Sequence, residues 1–177
     1  MQRENDEFWV FGYGSLVWRP GFDFAERRLA TIRGYHRSLC IYSHVHRGTP
    51  EKPGLVLGLD RGGTCRGIAF RVVPENRNAT LEYLRAREQA TLVYREAFVM
   101  ARLDDGRSIL ALTYVADRAH PQYAGHLPRP ELARLVRQGV GISGENPGYI
   151  THTHAHLAEL GIKDETLHWL NTHLQKR

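Results

Sequence analysis

The chain has 177 residues, 42% of them hydrophobic and 24% charged. That size and balance suit one globular domain spanning 1–177 and exclude a collagen-like or disordered chain. Lys and Arg number 24 against 19 Asp and Glu, a net charge of +5. The basic residues are scattered, as at Arg27-Arg28, Arg85, Arg87, Arg134 and Arg137, so the excess reads as a solvated basic surface and no nucleic-acid partner is expected.

The start, Met1–Glu7, is polar and charged and passes directly into Phe8-Trp9-Val10-Phe11. That is not the pattern of a signal peptide. No stretch approaches the roughly 18 apolar residues of a membrane span, so a cytoplasmic chain without a membrane partner is expected. Phe8–Phe11 reads as a short buried strand, stopped by Gly12-Tyr13-Gly14-Ser15. Leu29–Tyr42 alternates as a strand, with Gly34 a candidate bulge. His44–Gly54 is a loop rich in Gly and Pro. Leu55–Leu59 and Arg66–Val73 read as two strands joined by Asp60-Arg61-Gly62-Gly63. A helix is expected after Pro74, running to about Ala90. Tyr94–Leu103 and Ser108–Val115 form a hairpin around Asp104-Asp105-Gly106. Three helices then close the chain: Pro130–Gly139, one with Pro147 in its first turn that ends at Gly161, and one capped by Asp164 that runs to Leu174. Strands first and helices last imply an α+β fold, a small mixed barrel or curved sheet flanked by helices. Cys40 and Cys65 stand far apart without a CxxC and read as small core fillers of a reducing compartment.

Chemistry is expected at two places. A buried strand ending in Phe11-Gly12-Tyr13-Gly14-Ser15-Leu16 can expose successive N–H groups, because glycine allows φ > 0 and leaves no side chain in the way; such a nest binds anions or carboxylates. The same glycines also suit a tight turn with no ligand. No GxGxxG and no phosphate-loop lysine accompany them. The second place is Glu88. On a helix, Leu81, Leu84 and Glu88 fall within about 60° of one another, so a carboxylate lies on the core-facing stripe. Burial raises a carboxyl pKa toward the range of a general base near neutral pH. A structural ion pair with Arg85 is the other reading of the same placement.

The histidines His44, His46, His152, His154 and His156 carry a common metal-binding side chain. HxH spacing suits a strand, however, and 152–156 falls in a helical stretch where only His152 and His156 share a face. No HExxH accompanies them, and no metal site is expected. Ser15 lacks the GxSxG context of a serine hydrolase.

Val10-Phe11-Gly12-Tyr13-Gly14-Ser15-Leu16-Val17-Trp18 closely resembles the opening of the ChaC family of γ-glutamylcyclotransferases. His46-Arg47-Gly48-Thr49-Pro50 through Gly54, Cys65-Arg66-Gly67-Ile68-Ala69-Phe70, Tyr83-Leu84 to Arg87-Glu88 with Tyr94-Arg95, His120-Pro121-Gln122-Tyr123 and Ser143-Gly144-Glu145-Asn146 resemble further family segments in the same order. Two positions depart from the pattern. Leu92-Val93 stand where the family usually has a glycine before the aromatic matched by Tyr94, and His120 replaces the more usual Asn.

The resemblance implies an enzyme without cofactor or metal that cleaves glutathione to 5-oxoproline and Cys-Gly. It implies Glu88 as acid and base, with the turn Tyr13, Gly14, Ser15 and Leu16 holding the γ-glutamyl head. Tyr94 and Tyr114 are secondary candidates for a hydroxyl on the substrate carboxylate, beside the commoner reading of core tyrosines in strands, and Tyr123 is a weaker one. Arg47 is a candidate for the glycine carboxylate or, equally, a solvated loop arginine. Two alternatives stand beside it: a cyclotransferase for other γ-glutamyl amino acids or amines, and a non-catalytic regulator binding a cation-transport partner through an exposed apolar patch.

Overall fold

The computed structural model describes residues 7–89 and 92–176. Met1–Asp6 of the polar start, and Ala90, the expected end of the helix after Pro74, lie outside the described residues. The chain divides into two compact units, Met1–Arg37 with Leu59–Asp117, and Ser38–Gly58 with Arg118–Arg177.

Five strands, β1 (Phe8–Gly12), β2 (Glu26–Ser43), β3 (Gly54–Val72), β4 (Tyr94–Leu103) and β5 (Ser108–Ala116), close into a barrel of order β1-β3-β2-β4-β5. β1 runs antiparallel to β3, and β4 antiparallel to β2 and β5; β1 and β5 are parallel and complete the ring. In the first unit, Phe8 and Val10 from one face of β1 join Leu16, Val72, Leu112 and Tyr114 in a buried cluster. The helix α1 (Arg77–Glu88) adds Leu84 to it, fully buried, and Leu81 packs at its edge. Burying a leucine contributes roughly 2 kcal/mol, so this stripe docks the helix that a 12-residue segment could not form stably alone.

The second unit carries α2 (Arg129–Gln138), the two-residue strands β6 (Val140–Gly141) and β7 (Gly144–Glu145), α3 (Asn146–Glu159) and α4 (Glu165–Leu174). Their inward residues, among them Leu135, Ile150, Leu157, Leu167 and Leu170, are buried. Asp164 caps α4 by accepting a hydrogen bond from the Leu167 N–H at 3.0 Å, and Pro147 lies in the first turn of α3, as the sequence implies. Among the described residues no helix is long and apolar enough to cross a membrane.

The α+β expectation, a small mixed barrel with helices, agrees with this architecture. The expected separation of Leu55–Leu59 from Arg66–Val73 is corrected: β3 is one strand. Gly62 and Gly63 absorb the turn signal at φ of +97° and +72°, conformations open to glycine at little cost. The Gly62 carbonyl is also bonded to the His36 Nδ1 at 2.9 Å, which ties the glycine pair to β2.

Candidate active site

Glu88 is the last residue of α1, one turn beyond the buried Leu84. Its side chain is 17% exposed. Burial raises its carboxyl above the ordinary range, and the Arg87 guanidinium opposes that shift only in part. Arg87 Nε stands 3.6 Å from Glu88 Oε1, a charge contact too long for a hydrogen bond. Among the described residues, no hydrogen bond reaches this carboxylate. The C-terminal end of a helix, where carbonyl dipoles accumulate negative charge, disfavours a carboxylate further.

Arg85, the partner that helix geometry offered for Glu88, is turned to the sheet. Its Nε donates to Glu96 Oε1 at 2.6 Å and its Nη2 to Oε2 at 3.2 Å. This two-pronged pairing is the main reason the Glu96 carboxyl is held low. Glu96 stands directly across from Tyr114 in the β4–β5 ladder, and the Tyr114 hydroxyl donates to Glu96 Oε1 at 3.1 Å. Burial first, then the charge of Glu96, pushes the phenol up; Glu88 adds to the same effect. Tyr114 is therefore neutral in the working pH range. The neighbourhood holds two carboxylates with separate fates: Glu96 is hydrogen-bonded to Arg85 and held low, while Glu88 has only the longer charge contact with Arg87 and is raised.

The turn after β1 is a short 3₁₀ helix, Ser15–Val17. Its internal bonds run from Val17 N to Gly14 O at 2.9 Å and from Trp18 N to Ser15 O. The N–H groups of Ser15 and Leu16 take no part in them. The expectation of φ > 0 at Gly12 and Gly14 is corrected: Gly14 has φ of −130°, and Gly12 is not among the glycines with positive φ. Gly12 is required by proximity instead, since an added Cβ would lie 2.9 Å from Leu16 Cβ. The Leu16 side chain belongs to the core cluster, so only its backbone faces other duties. Tyr13 is buried, and its carbonyl accepts from Arg37 Nε at 2.7 Å. Ser15 Oγ accepts from Arg87 Nη2 at 2.8 Å.

Glu88, the Tyr13–Leu16 turn, Tyr94 and Tyr114 all belong to the first unit. Leu16 and Tyr114 share one buried cluster with Leu84 of α1, and Tyr94 packs against it. Arg47 belongs to the second unit, where its Nη1 donates to the Glu145 carbonyl at 3.0 Å and its guanidinium lies over the Tyr149 ring. The segment ending at Tyr123 pairs with the end of β2. His154 faces His168 at 3.4 Å between Nε2 and Nδ1, a meeting of α3 and α4 that no single-helix spacing reveals. No group of three or more His, Cys, Asp or Glu able to hold a metal occurs among the described residues. A groove of about 710 Å³ opens on the barrel beside Thr31, Arg33, Met100 and Arg102. Its lining includes Ser108 but none of the candidate site residues, and it holds no carboxylate.

The model of the family described as ChaC-like protein matches residues 8–177. The chain belongs to the ChaC-like family. It is 34% identical over 168 residues to a glutathione-specific γ-glutamylcyclotransferase of Escherichia coli, covering 95% of this chain and 73% of that protein. Identity to glutathione-specific γ-glutamylcyclotransferase 1 of Homo sapiens is 36% over 146 residues, covering 80% of this chain and 66% of the human one. The crystal structure of a γ-glutamylcyclotransferase specific to glutathione from yeast superposes with a TM-score of 0.86 at 24% identity, covering 97% of each chain, and shows the shared fold.

The ChaC-like segments Val10–Trp18, Cys65–Phe70 and Tyr83–Glu88 all fall in the first unit. The departure at Leu92-Val93 has a structural counterpart. Leu92 takes φ of +57° and is 70% exposed, so this ChaC-like chain places a branched side chain in the left-handed region. Two residues escaped the sequence reading. Arg87 lies off the core-facing stripe of α1, and Glu96 reaches Arg85 only once β4 is in place. A face argument confined to one helix finds neither.

Proposed function

We propose that this chain is a γ-glutamylcyclotransferase that cleaves glutathione, a metal-independent lyase in which Glu88 moves the proton. A γ-glutamyl amide carries its own nucleophile. The α-amine attacks the γ-carbonyl carbon, a five-membered lactam forms, and the bond to the cysteine nitrogen breaks, leaving 5-oxoproline and Cys-Gly. The α-ammonium must first lose a proton, and the leaving nitrogen must gain one. The Glu88 carboxylate takes the first and returns it to the second.

The observation that carries this reading is the state of Glu88: a mostly buried carboxylate with a raised pKa and no hydrogen bond to its oxygens among the described residues. Such a group is poised to accept a proton near neutral pH. The Ser15 and Leu16 N–H groups, outside the bonds of their own turn, supply donors for the substrate's γ-glutamyl head or for the developing oxyanion. Tyr94 borders the same cluster and offers a hydroxyl, while Tyr114, held neutral against Glu96, backs the site. Fixing the bent conformer of the substrate supplies part of the rate, as in intramolecular reactions generally. A cytoplasmic setting, where glutathione is abundant, suits two buried free cysteines.

The test is to treat the purified protein with chelator and follow 5-oxoproline by mass spectrometry, from glutathione and separately from γ-glutamyl-alanine. Release from glutathione that survives chelation supports the reading. Release from γ-glutamyl-alanine alone moves the activity to γ-glutamyl amino acids. A folded protein that releases nothing from either leaves the regulator reading in its place.

A further inference from the structure

Arg87 makes more of its guanidinium than any other side chain near Glu88. Its Nη1 donates to the carbonyls of Arg19 at 2.6 Å and Pro20 at 3.1 Å, and lies 3.0 Å from the Tyr83 hydroxyl. Its Nη2 donates to Ser15 Oγ at 2.8 Å. Its Nε faces Glu88 Oε1. One planar group thus touches both ends of the segment that follows the β1 turn, and the helix end that carries Glu88. The segment is also bonded within itself, Arg19 N to Ser15 O at 2.8 Å. It closes on α1 at Gly21, whose φ of +76° and lack of Cβ let the Tyr83 hydroxyl approach. Arg87 is 20% exposed, so these bonds form largely out of water, where each is stronger.

We propose that Arg87 is a positioning residue for the cyclisation: its fork holds the substrate-binding turn in register with Glu88. The proposal rests on the cyclotransferase reading above. Two consequences separate the fork from the charge. The fork fixes where the Ser15 and Leu16 N–H groups stand, and a displacement near 1 Å at such a site lowers rate by up to about 100-fold. The charge faces Glu88 and opposes the rise in its carboxyl pKa. The other groups bearing on Glu88 are the neutral Tyr114 phenol from β5 and, behind it, Glu96 of β4, neutralised by Arg85. Among the described residues, losing Arg87 therefore leaves no nearby cation facing Glu88 to replace it.

The experiment compares Arg87→Met and Arg87→Lys with wild type, using KM and kcat for glutathione, the pH profile of kcat/KM, and amide hydrogen exchange of 15–20. Arg87→Met is expected to lower kcat/KM by about 10- to 100-fold, to speed exchange across 15–20, and to move the acid limb of the profile to higher pH. Arg87→Lys carries the charge without the planar fork. It is expected to keep the acid limb near the wild-type position while KM and exchange stay impaired. Folded variants with wild-type KM, exchange and acid limb overturn the positioning role and leave the cyclotransferase intact. A wild-type protein that forms no 5-oxoproline from any γ-glutamyl substrate overturns both together.

Discussion

In the first unit the Glu88 carboxylate is withdrawn from water with one cation 3.6 Å away and no hydrogen bond among the described residues. In the second unit Asn146 is fully buried, and both ends of its amide are used: Oδ1 accepts from Leu55 N at 2.8 Å, and Nδ2 donates to Leu55 O at 2.9 Å. Both residues carry polar groups that cost free energy to desolvate. Asn146 recovers that cost through a matched pair of bonds that fixes the backbone where β3 begins. Glu88 does not, and what remains is a pKa displaced toward neutrality. A buried polar group with all its partners is a structural joint; one left without them stores free energy that proton transfer can use.

The largest expected loss of stability is in the first unit: Leu84→Ala removes a fully buried side chain one turn before Glu88 and should destabilise by about 2–5 kcal/mol. By admitting water beside Glu88, it should also move the acid limb of kcat/KM to lower pH. Chemical denaturation and a pH–rate profile measure the two effects, and an unmoved limb would detach Glu88's pKa from its burial.

Asn146→Ala leaves the Leu55 N–H and carbonyl without partners. The expected cost is about 2–4 kcal/mol, with Tm falling by roughly 5–12 °C in a chain of this length. Thermal melting followed by circular dichroism reads it, and a loss below about 0.5 kcal/mol would show that the joint is dispensable.

For Glu88 the effect on stability has the opposite sign. Its folded pKa is raised, so between the ordinary unfolded value, about 4.3, and the folded value the native chain binds the extra proton. Stability from this group falls as pH rises through that window, and the penalty is complete above it. Glu88→Gln never ionises and lifts the penalty. Its Tm should exceed that of wild type at pH 8 by on the order of a few °C, and the gap should close toward pH 4. A variant less stable than wild type at pH 8 would show that the carboxylate is a joint after all.

The smallest effect is expected at Leu92. A branched residue at φ of +57° is strained by about 1 kcal/mol, partly offset by the greater unfolded-state freedom of glycine. Leu92→Gly should raise Tm by roughly 1–3 °C, and a fall would mean that the Leu92 side chain holds a contact worth more than the strain.

Much of this was legible along the chain. Asp104-Asp105-Gly106 placed the β4–β5 hairpin, because Gly106 meets the required φ of +93°, and the Leu81, Leu84, Glu88 stripe placed a carboxylate on a buried face. What the sequence hides is set by other elements. Arg85 stands one turn from Glu88, as a local ion pair requires, yet Glu96 on β4 captures it. Gly12 reads as a residue chosen for φ, whereas the approach of Leu16 explains it. Gly62-Gly63 reads as a strand end, whereas the pair with β2 carries the strand through. For Arg85 and for Gly62-Gly63 a partner on another strand decided the outcome, and for Gly12 it was the fold-back of its own turn onto Leu16; local patterning carries no record of any of these contacts.

The most direct test of the central claim is to measure 5-oxoproline release from glutathione and Tm at pH 8 on the same preparations of wild type and Glu88→Gln. Activity lower by about 10²- to 10⁴-fold, with Tm equal or higher, is the predicted result, because the proposed proton carrier is also the group that burdens the fold. A Glu88→Gln protein that keeps wild-type activity, or loses it only by unfolding, contradicts the account.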